Sequence, residues 1–570
     1  MSLILQIFTL LGAVTLFLFG LSLLSGGLQK VAGDGLRSFL ASMTSNPAKQ
    51  IFTGIGVTAL IQSSTATTIM VVSFVNAGLL ALSQAIGVIM GANIGTTVTS
   101  WIMALFGFSF NMADFAYPLI LVGYILMQNK KNQRTREIGS IIIGFALFFV
   151  GFAQLRATAQ VLITPERLGF LTTWTQWGVG SIALFLLISV ILTVCFQSSA
   201  ATMAIIMILV TSGVIPFKLA AAMILGENIG TTIAANIAAS IGNTNAKRAA
   251  ISHTIINLFG VTWVLCLFPV FLKLVGAFVG FLGLPDPNTA DLTSEPLATT
   301  SLLYSVCAMH TLFNVVNVLI LVWLIPLITR LCCAIFPSRN EEPAERLLYI
   351  SGGPLSTPEL SLDAAHQEII HFGNICYKGF RHVREAIDET DDGKFEERAD
   401  KLVKYEEITD KIEFEIASYL GAVSEGDISG NAALRIKTMY KIIGEMESLG
   451  DSGETISRIL RRAKARGKKF DADMIRKLDA MMDTVDGAYT AMLENLSAPY
   501  RQLHDISNAE RAEDRINECR NILREEHITN IETAEYNYHS GVYYIDVVSE
   551  LERMGDFIIN ISQAILKENV

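Results

Sequence analysis

Apolar residues fill the first 338 positions with few interruptions. No charged residue stands between Lys49 and Asp114, or between Arg167 and Lys218. One membrane crossing takes about 20 apolar residues, so each of these stretches is long enough for more than one pass. Further spans are expected near 3–29, from 115–127 onward, and over 138–156, 249–283 and 300–329. The first run starts almost at Met1 without a basic leader, and no A-x-A-like cleavage site closes it. It reads as a retained span rather than a signal peptide. Past Pro337 the pattern changes, and apolar residues recur at helical spacing among dense charges, as at Ile408, Ile412 and Ile416. Long helices are expected over about 359–390, 395–421, 430–466, 471–496, 499–526 and 529–567. The breaks fall at Asp391-Asp392-Gly393, Gly426, Gly467 and Pro499. The expected fold class is therefore all-α. A polytopic membrane domain (1–335) is followed by a linker with prolines and glycines (336–358) and a six-helix bundle (359–570), read as two three-helix units.

Charge sharpens this division. Residues 1–338 carry a net charge of +6 and residues 339–570 one of -16, which together make the -10 of the chain. An acidic chain lacks the basic surface that general nucleic-acid binding needs. The basic clusters Lys130-Lys131-Arg134-Arg136, Lys247-Arg248 and Arg330-Arg339-Arg346 contrast with 284–299, where the only charges are acids. The positive-inside rule places those clusters in the cytoplasm, and with them the C-terminal half; the cell inner (cytoplasmic) membrane is the expected location. Seven cysteines form no metal-ligand or disulfide pattern.

An internal repeat holds the chemistry. Gln62-Ser63-Ser64-Thr65-Ala66-Thr67 recurs as Gln197-Ser198-Ser199-Ala200-Ala201-Thr202. Gly91-Ala92-Asn93-Ile94-Gly95-Thr96-Thr97 recurs as Gly226-Glu227-Asn228-Ile229-Gly230-Thr231-Thr232, with the same offset of 135 residues. Small and hydroxyl residues in membrane helices also serve close packing. Two separate motifs duplicated in one register point further. Their polar groups suit broken helices that line a cavity, since each would need a partner in hydrocarbon. Helix N-termini there attract an anion, and carbonyls and hydroxyls can replace water around a small hard cation.

QSSTATT with GANIGTT, then QSSAATM with GENIGTT, resembles the type II sodium–phosphate cotransporter family over roughly residues 1–335. Lys247-Arg248…His253…Asn257 and His310-Thr-Leu-Phe-Asn314 are similar to that family as well. The resemblance implies two inverted repeats, about 1–135 and 138–275, with extra helices to 335. Each would carry a re-entrant hairpin and an unwound helix, and together they would bind Na⁺ and phosphate. It implies that Gln62, Ser63, Ser64 and Thr65 line the site from one half and Gln197, Ser198 and Ser199 from the other. Asn93, Thr96, Thr97, Asn228, Thr231 and Thr232 would add oxygens, with sodium as their ligand. The family's QSSS becomes QSST in the first half and QSSA in the second, so Ala200 offers no third hydroxyl. No Lys or Arg stands in the motifs, and a divalent anion cannot shed water in a membrane without compensating charge. Cations and helix dipoles would have to supply it, which is a physical reason for sodium coupling.

Glu227 is the one acid inside these motifs, opposite Ala92. It reads either as a coupling acid, for a cation or a proton, or as a residue near a cytoplasmic helix end paired with a base. His253/Asn257 and His310/Asn314 each share one helix face; interhelical hydrogen bonding is favoured over a metal or proton site.

In the acidic half, Glu406/Asp410, Glu447/Asp451 and Glu552/Asp556 have E-x-x-x-D spacing, which says little where acids are this dense. Glu447-Ser-Leu-Gly450-Asp451 and Glu552-Arg-Met-Gly555-Asp556, however, resemble the PhoU family of phosphate-signalling regulators. That resemblance implies two three-helix repeats with metal ions, of transition-metal type, on these six acids. In the second repeat Glu513 is followed by Asn517, so its set is incomplete. The expected function is sodium-coupled transport of inorganic phosphate with a cytoplasmic regulatory module. Alternatives are export through the same site, or a membrane receptor that moves little. Phosphate-signalling proteins and a second copy of the chain are candidate partners. No Walker motif, nucleophile elbow or zinc signature suggests an enzyme.

Overall fold

Several helices start at a capping side chain. Asn46 accepts from the Lys49 amide with Pro47 at the first helical position, Asn243 accepts from Ala246, and Asp391 accepts from Lys394. The computed structural model describes residues 3–569 apart from 43–45, 77–79, 110–111, 130–131, 163–173, 241, 290–296, 338–346, 348, 351–357, 390, 426–427, 429, 469, 499–502 and 533–537. Among the described residues all regular structure is helical. Lys130, Lys131, Arg339, Arg346 and most of the linker 336–358 lie outside them. The chain divides into two compact units, Met1–Arg339 and Asn340–Val570.

The first unit contains α1 (Leu3–Ser42), α2 (Pro47–Ile61), α3 (Ser64–Asn76), α4 (Leu82–Ile102), α5 (Ala116–Met127), α6 (Gln133–Leu162) and α7 (Val179–Phe196). It continues with α8 (Ser199–Thr211), α9 (Phe217–Ala239), α10 (Thr244–Cys266), α11 (Phe268–Phe281), α12 (Ala298–Leu321) and α13 (Ile325–Ile335). Six stretches are long and apolar enough to cross a membrane: Ile4–Ala32, Leu82–Phe108, Arg134–Val161, Val179–Phe196, Thr244–Cys266 and Ala298–Ile335. This is a multi-pass membrane protein. The run expected over 249–283 is broken at Leu267, because Pro269 follows and cannot donate to the preceding turn. A 3₁₀ turn at Val322–Leu324, ahead of Pro326, likewise interrupts the run 300–329.

α4 and α9 form the centre of the unit. α2 lies along α4 and α7 along α9, while α3, α10 and α12 pack against both. α1 runs along α6, which also holds α5. Glycines set the closest approaches. A Cβ on Gly91 would stand 2.0 Å from the Ile51 carbonyl oxygen, and one on Gly226 2.1 Å from that of Leu186. Gly95 against Thr58 and Gly230 against Thr193 repeat the pattern one turn on. All four contacts keep the offset of 135, so the motif glycines hold α2–α4 and α7–α9 together in the same way.

The second unit contains α14 (Pro358–Ile387), α15 (Asp392–Ser424), α16 (Gly430–Ala465), α17 (Ala472–Ser497), α18 (Ser507–Glu532) and α19 (Tyr538–Asn569). α14, α15 and α16 pack as one group, α17, α18 and α19 as another, with α16 joined to α19. Phe372, Ile416, Met446, Tyr489 and Leu551 lie in one continuous apolar core. The fifth helix begins at Ser507 rather than at Pro499. Asp505 accepts from the backbone amide of Ser507 and turns the chain before the helix starts.

Candidate functional site

Both QSS motifs are helix breaks. Gln62 ends α2 in the left-handed region (φ 59°), and Gln197 ends α7 in the same way (φ 50°). A non-glycine residue rarely holds that conformation, and among the described residues these are the two that do. Ser63 and Ser198 then cap the following helices. The Ala66 amide donates to Ser63 Oγ at 3.2 Å and the Ala201 amide to Ser198 Oγ at 3.3 Å. Thr67 and Thr202 donate back to the Ser63 and Ser198 carbonyls.

The breaks meet at one cavity of about 410 Å³. Gln62, Ser63, Ser64 and Thr65 line it from one half, Gln197, Ser198, Ser199 and Ala200 from the other. The N-termini of α3 and α8 therefore both open on it, with Thr96 and Thr99 of α4 alongside. Among the described residues no charged side chain belongs to this lining. A smaller cavity of about 40 Å³ shares Thr65, Gln197, Ser198 and Ser199 and adds Thr231.

The remaining motif residues lie elsewhere. Asn93 and Asn228 are buried and line neither cavity. The Asn93 amide donates to Asn257 Oδ1 (3.2 Å) and accepts from His253 Nε2 (3.1 Å). Asn228 Oδ1 accepts from Asn314 (3.3 Å), and His310 Nδ1 is hydrogen-bonded to Ser100 Oγ (3.1 Å). The two His/Asn pairs thus tie α10 and α12 to the motif helices. The hydroxyls of Thr97 and Thr232 turn back onto the carbonyls of Ile94 and Ile229. Glu227 lies at mid-helix, 1% exposed, so it is not at a helix end. Among the described residues it has no ion-pair partner, and its Oε2 has no hydrogen-bond partner.

Sequence reasoning missed two contributors. Ser22, Ser25 and Gln29 of α1 line the larger cavity, and their spacing of three and four along an apolar helix is a polar stripe that could have announced it. Thr99 donates to Gln62 Oε1 at 3.0 Å; nothing local marks it, because the contact crosses between helices.

In the second unit, carboxylate oxygens of Glu406, Asp410 and Asp451 lie within 4.8 Å of one another, with Glu447 on the same face as Asp410. Burial, and then the neighbouring acids, push Glu406, Glu447 and Asp451 above the usual carboxylate range. Glu552 is instead paired with Arg520, although burial and Asp556 push its carboxyl up as well. The six acids are thus not two equivalent sets. Oxygens so gathered suit a hard cation in the first group; an arginine already occupies the second.

The sequence signature of the Na+/Pi-cotransporter family matches residues 16–157 and 170–284, which include both breaks and both glycine motifs. A Bacillus subtilis relative, the uncharacterised protein YqeW, is 31% identical over 329 residues, covering 57% of this chain and 97% of its own. This chain belongs to the Na+/Pi-cotransporter family. Escherichia coli K12 YjbB, provisionally named an inorganic phosphate export protein, is 25% identical over 575 residues, 98% of this chain and 97% of its own. The sodium-dependent phosphate transport protein 2A of Rattus norvegicus is 44% identical over 106 residues, 18% of this chain and 16% of its own. No solved structure matches the chain at a significant level.

Proposed function

We propose that this protein carries inorganic phosphate across a membrane, coupled to sodium, through the cavity between Gln62 and Gln197. The observation that supports this most is the cavity's lining: two helix N-termini, hydroxyls and amides, and among the described residues no charged side chain. Two N-termini offer amide donors and dipole to an anion, though less than two full charges. Sodium held by neighbouring oxygens makes up the difference, so neither solute enters the dry site well alone. In this reading the halves are inverted repeats, and Glu227 is a coupling acid behind the cavity on the face of α9 that carries Thr231. The oxygens of Asn93 and Asn228 serve indirectly, by holding the motif helices in place.

Direction follows the gradients, and export is the reading favoured by the name of the Escherichia coli relative, which aligns over nearly the whole chain. The second unit acts in this proposal as a cytoplasmic PhoU-like regulator, with Glu406, Asp410, Glu447 and Asp451 as its metal-binding acids. The test is phosphate flux in reconstituted vesicles with a sodium gradient or with choline in its place. Flux should require sodium, and Gln62→Ala and Gln197→Ala should each lower it by about tenfold or more. Equal flux in choline would sink the coupling, and wild-type flux in either variant would sink the shared site.

A further inference from the structure

The two breaks share a backbone but not a side-chain environment. At the first, the Gln62 amide is held at both ends. Its Nε2 donates to the Ala59 carbonyl, its Oε1 accepts from Thr99 Oγ1 at 3.0 Å, and the residue is half-buried. One N–H of that amide is left to face a ligand. At the second, Gln197 is exposed, and among the described residues no hydrogen bond holds its side chain. The repeat explains why. The position equivalent to Thr99 is Ala234, which lines the smaller cavity beside Gln197 and has no hydroxyl to offer.

We propose that Thr99 is a positioning residue that presets the Gln62 amide in the cavity, and that Gln197, facing Ala234, is the arm that turns onto the substrate as it binds. The inference rests on the reading of this cavity as the phosphate site. A side chain already held loses no freedom on binding, whereas a free glutamine must give up its rotamers. One half of the site is then a fixed template and the other closes over the ligand. The side-chain asymmetry at Oε1 follows from the exchange of Thr99 for Ala234 at equivalent positions of the two halves.

The test measures sodium-dependent phosphate uptake by the full-length protein in vesicles, as KM and Vmax. Thr99→Val keeps the shape and removes the hydroxyl. It should raise KM for phosphate about three- to tenfold with less effect on Vmax, and Thr99→Ser should restore it. In the Gln62→Ala background, Thr99→Val should add little, because its effect passes through that amide. Ala234→Thr supplies the missing hydroxyl and should lower KM while slowing turnover. A wild-type KM for Thr99→Val, or a full additional loss in the Gln62→Ala background, would overturn the proposal. If Thr99→Val fails to fold by size-exclusion profile, an unchanged KM in Ala234→Thr overturns it instead. Absence of phosphate uptake by the unmutated protein would remove the transport reading itself, a distinguishable result.

Discussion

The two units handle buried polarity in opposite ways. In the membrane unit, most buried polar side chains are neutral, and several bond to one another between helices, as in Asn93–Asn257, Asn228–Asn314 and Ser100–His310. Large apolar residues such as Tyr117, Phe281 and Trp323 are exposed on the outside. The second unit has the reverse arrangement, an apolar interior under a charged surface, with a few ions inside. Arg435 and Asp363 pair at 3.1 Å with almost no exposure, and Glu368 accepts from the amides of Tyr349 and Ile350. The difference teaches what drives each assembly. Lipid is as apolar as a helix surface, so the membrane unit relies on close packing and polar bonds; water makes apolar burial sufficient in the other.

Glycine substitution is the sharpest way to break this comparison. Gly91→Leu should prevent α2 from seating on α4, read as loss of a monodisperse peak in detergent, since even a Cβ collides with the Ile51 carbonyl. Gly444→Ala, where a Cβ meets nothing within 4 Å, should instead stabilise α16 by about 0.5–1 kcal/mol. A stable Gly91→Leu protein would show that close packing is not what holds the first unit.

Next in size is the buried ion pair. Arg435→Met leaves Asp363 charged and enclosed, at an expected cost of about 3–5 kcal/mol, read as faster hydrogen exchange along α14 and α16 in the full-length protein. Unchanged exchange would mean that the pair is dispensable. The smallest effect concerns the acidic face. Glu406, Glu447 and Asp451 titrate higher folded than unfolded, so their ionised forms cost stability. That cost is present above their folded-state titration and is relieved as pH falls through it toward the unfolded value. Protection of α15 and α16, corrected for intrinsic exchange, should rise as pH is lowered through that window. Asp451→Asn should flatten the rise, and a wild-type slope in that variant would place the repulsion elsewhere.

Much of the architecture was legible because membrane spans need little more than uninterrupted apolar length. The charge-free runs after Lys49 and Arg167 fall where α2–α4 and α7–α8 form, and the duplicated QSS marks both helix breaks. Helix ends were less legible, as at Leu267 and Ser507, where a neighbouring proline or aspartate decides the turn. Of the candidate site, Gln62, Ser63, Ser64, Thr65, Gln197, Ser198 and Ser199 could be named from the repeat, and they meet at one cavity. Asn93 and Asn228 stood in the same repeat yet face α10 and α12. A motif states which residues travel together, not which way each side chain turns.

By itself, then, the sequence determined an all-helical membrane body, a charged helical unit after it, and two polar breaks in one register. These follow from local chemistry: apolar length, caps, and polar groups that a helix in lipid cannot leave unpaired. Only the tertiary structure decided that both breaks open on a single cavity, that α1 adds a polar wall, and that Thr99 holds one glutamine while Ala234 leaves the other free. Those depend on which helices touch, and contacts between distant segments are set by the packing of the whole unit.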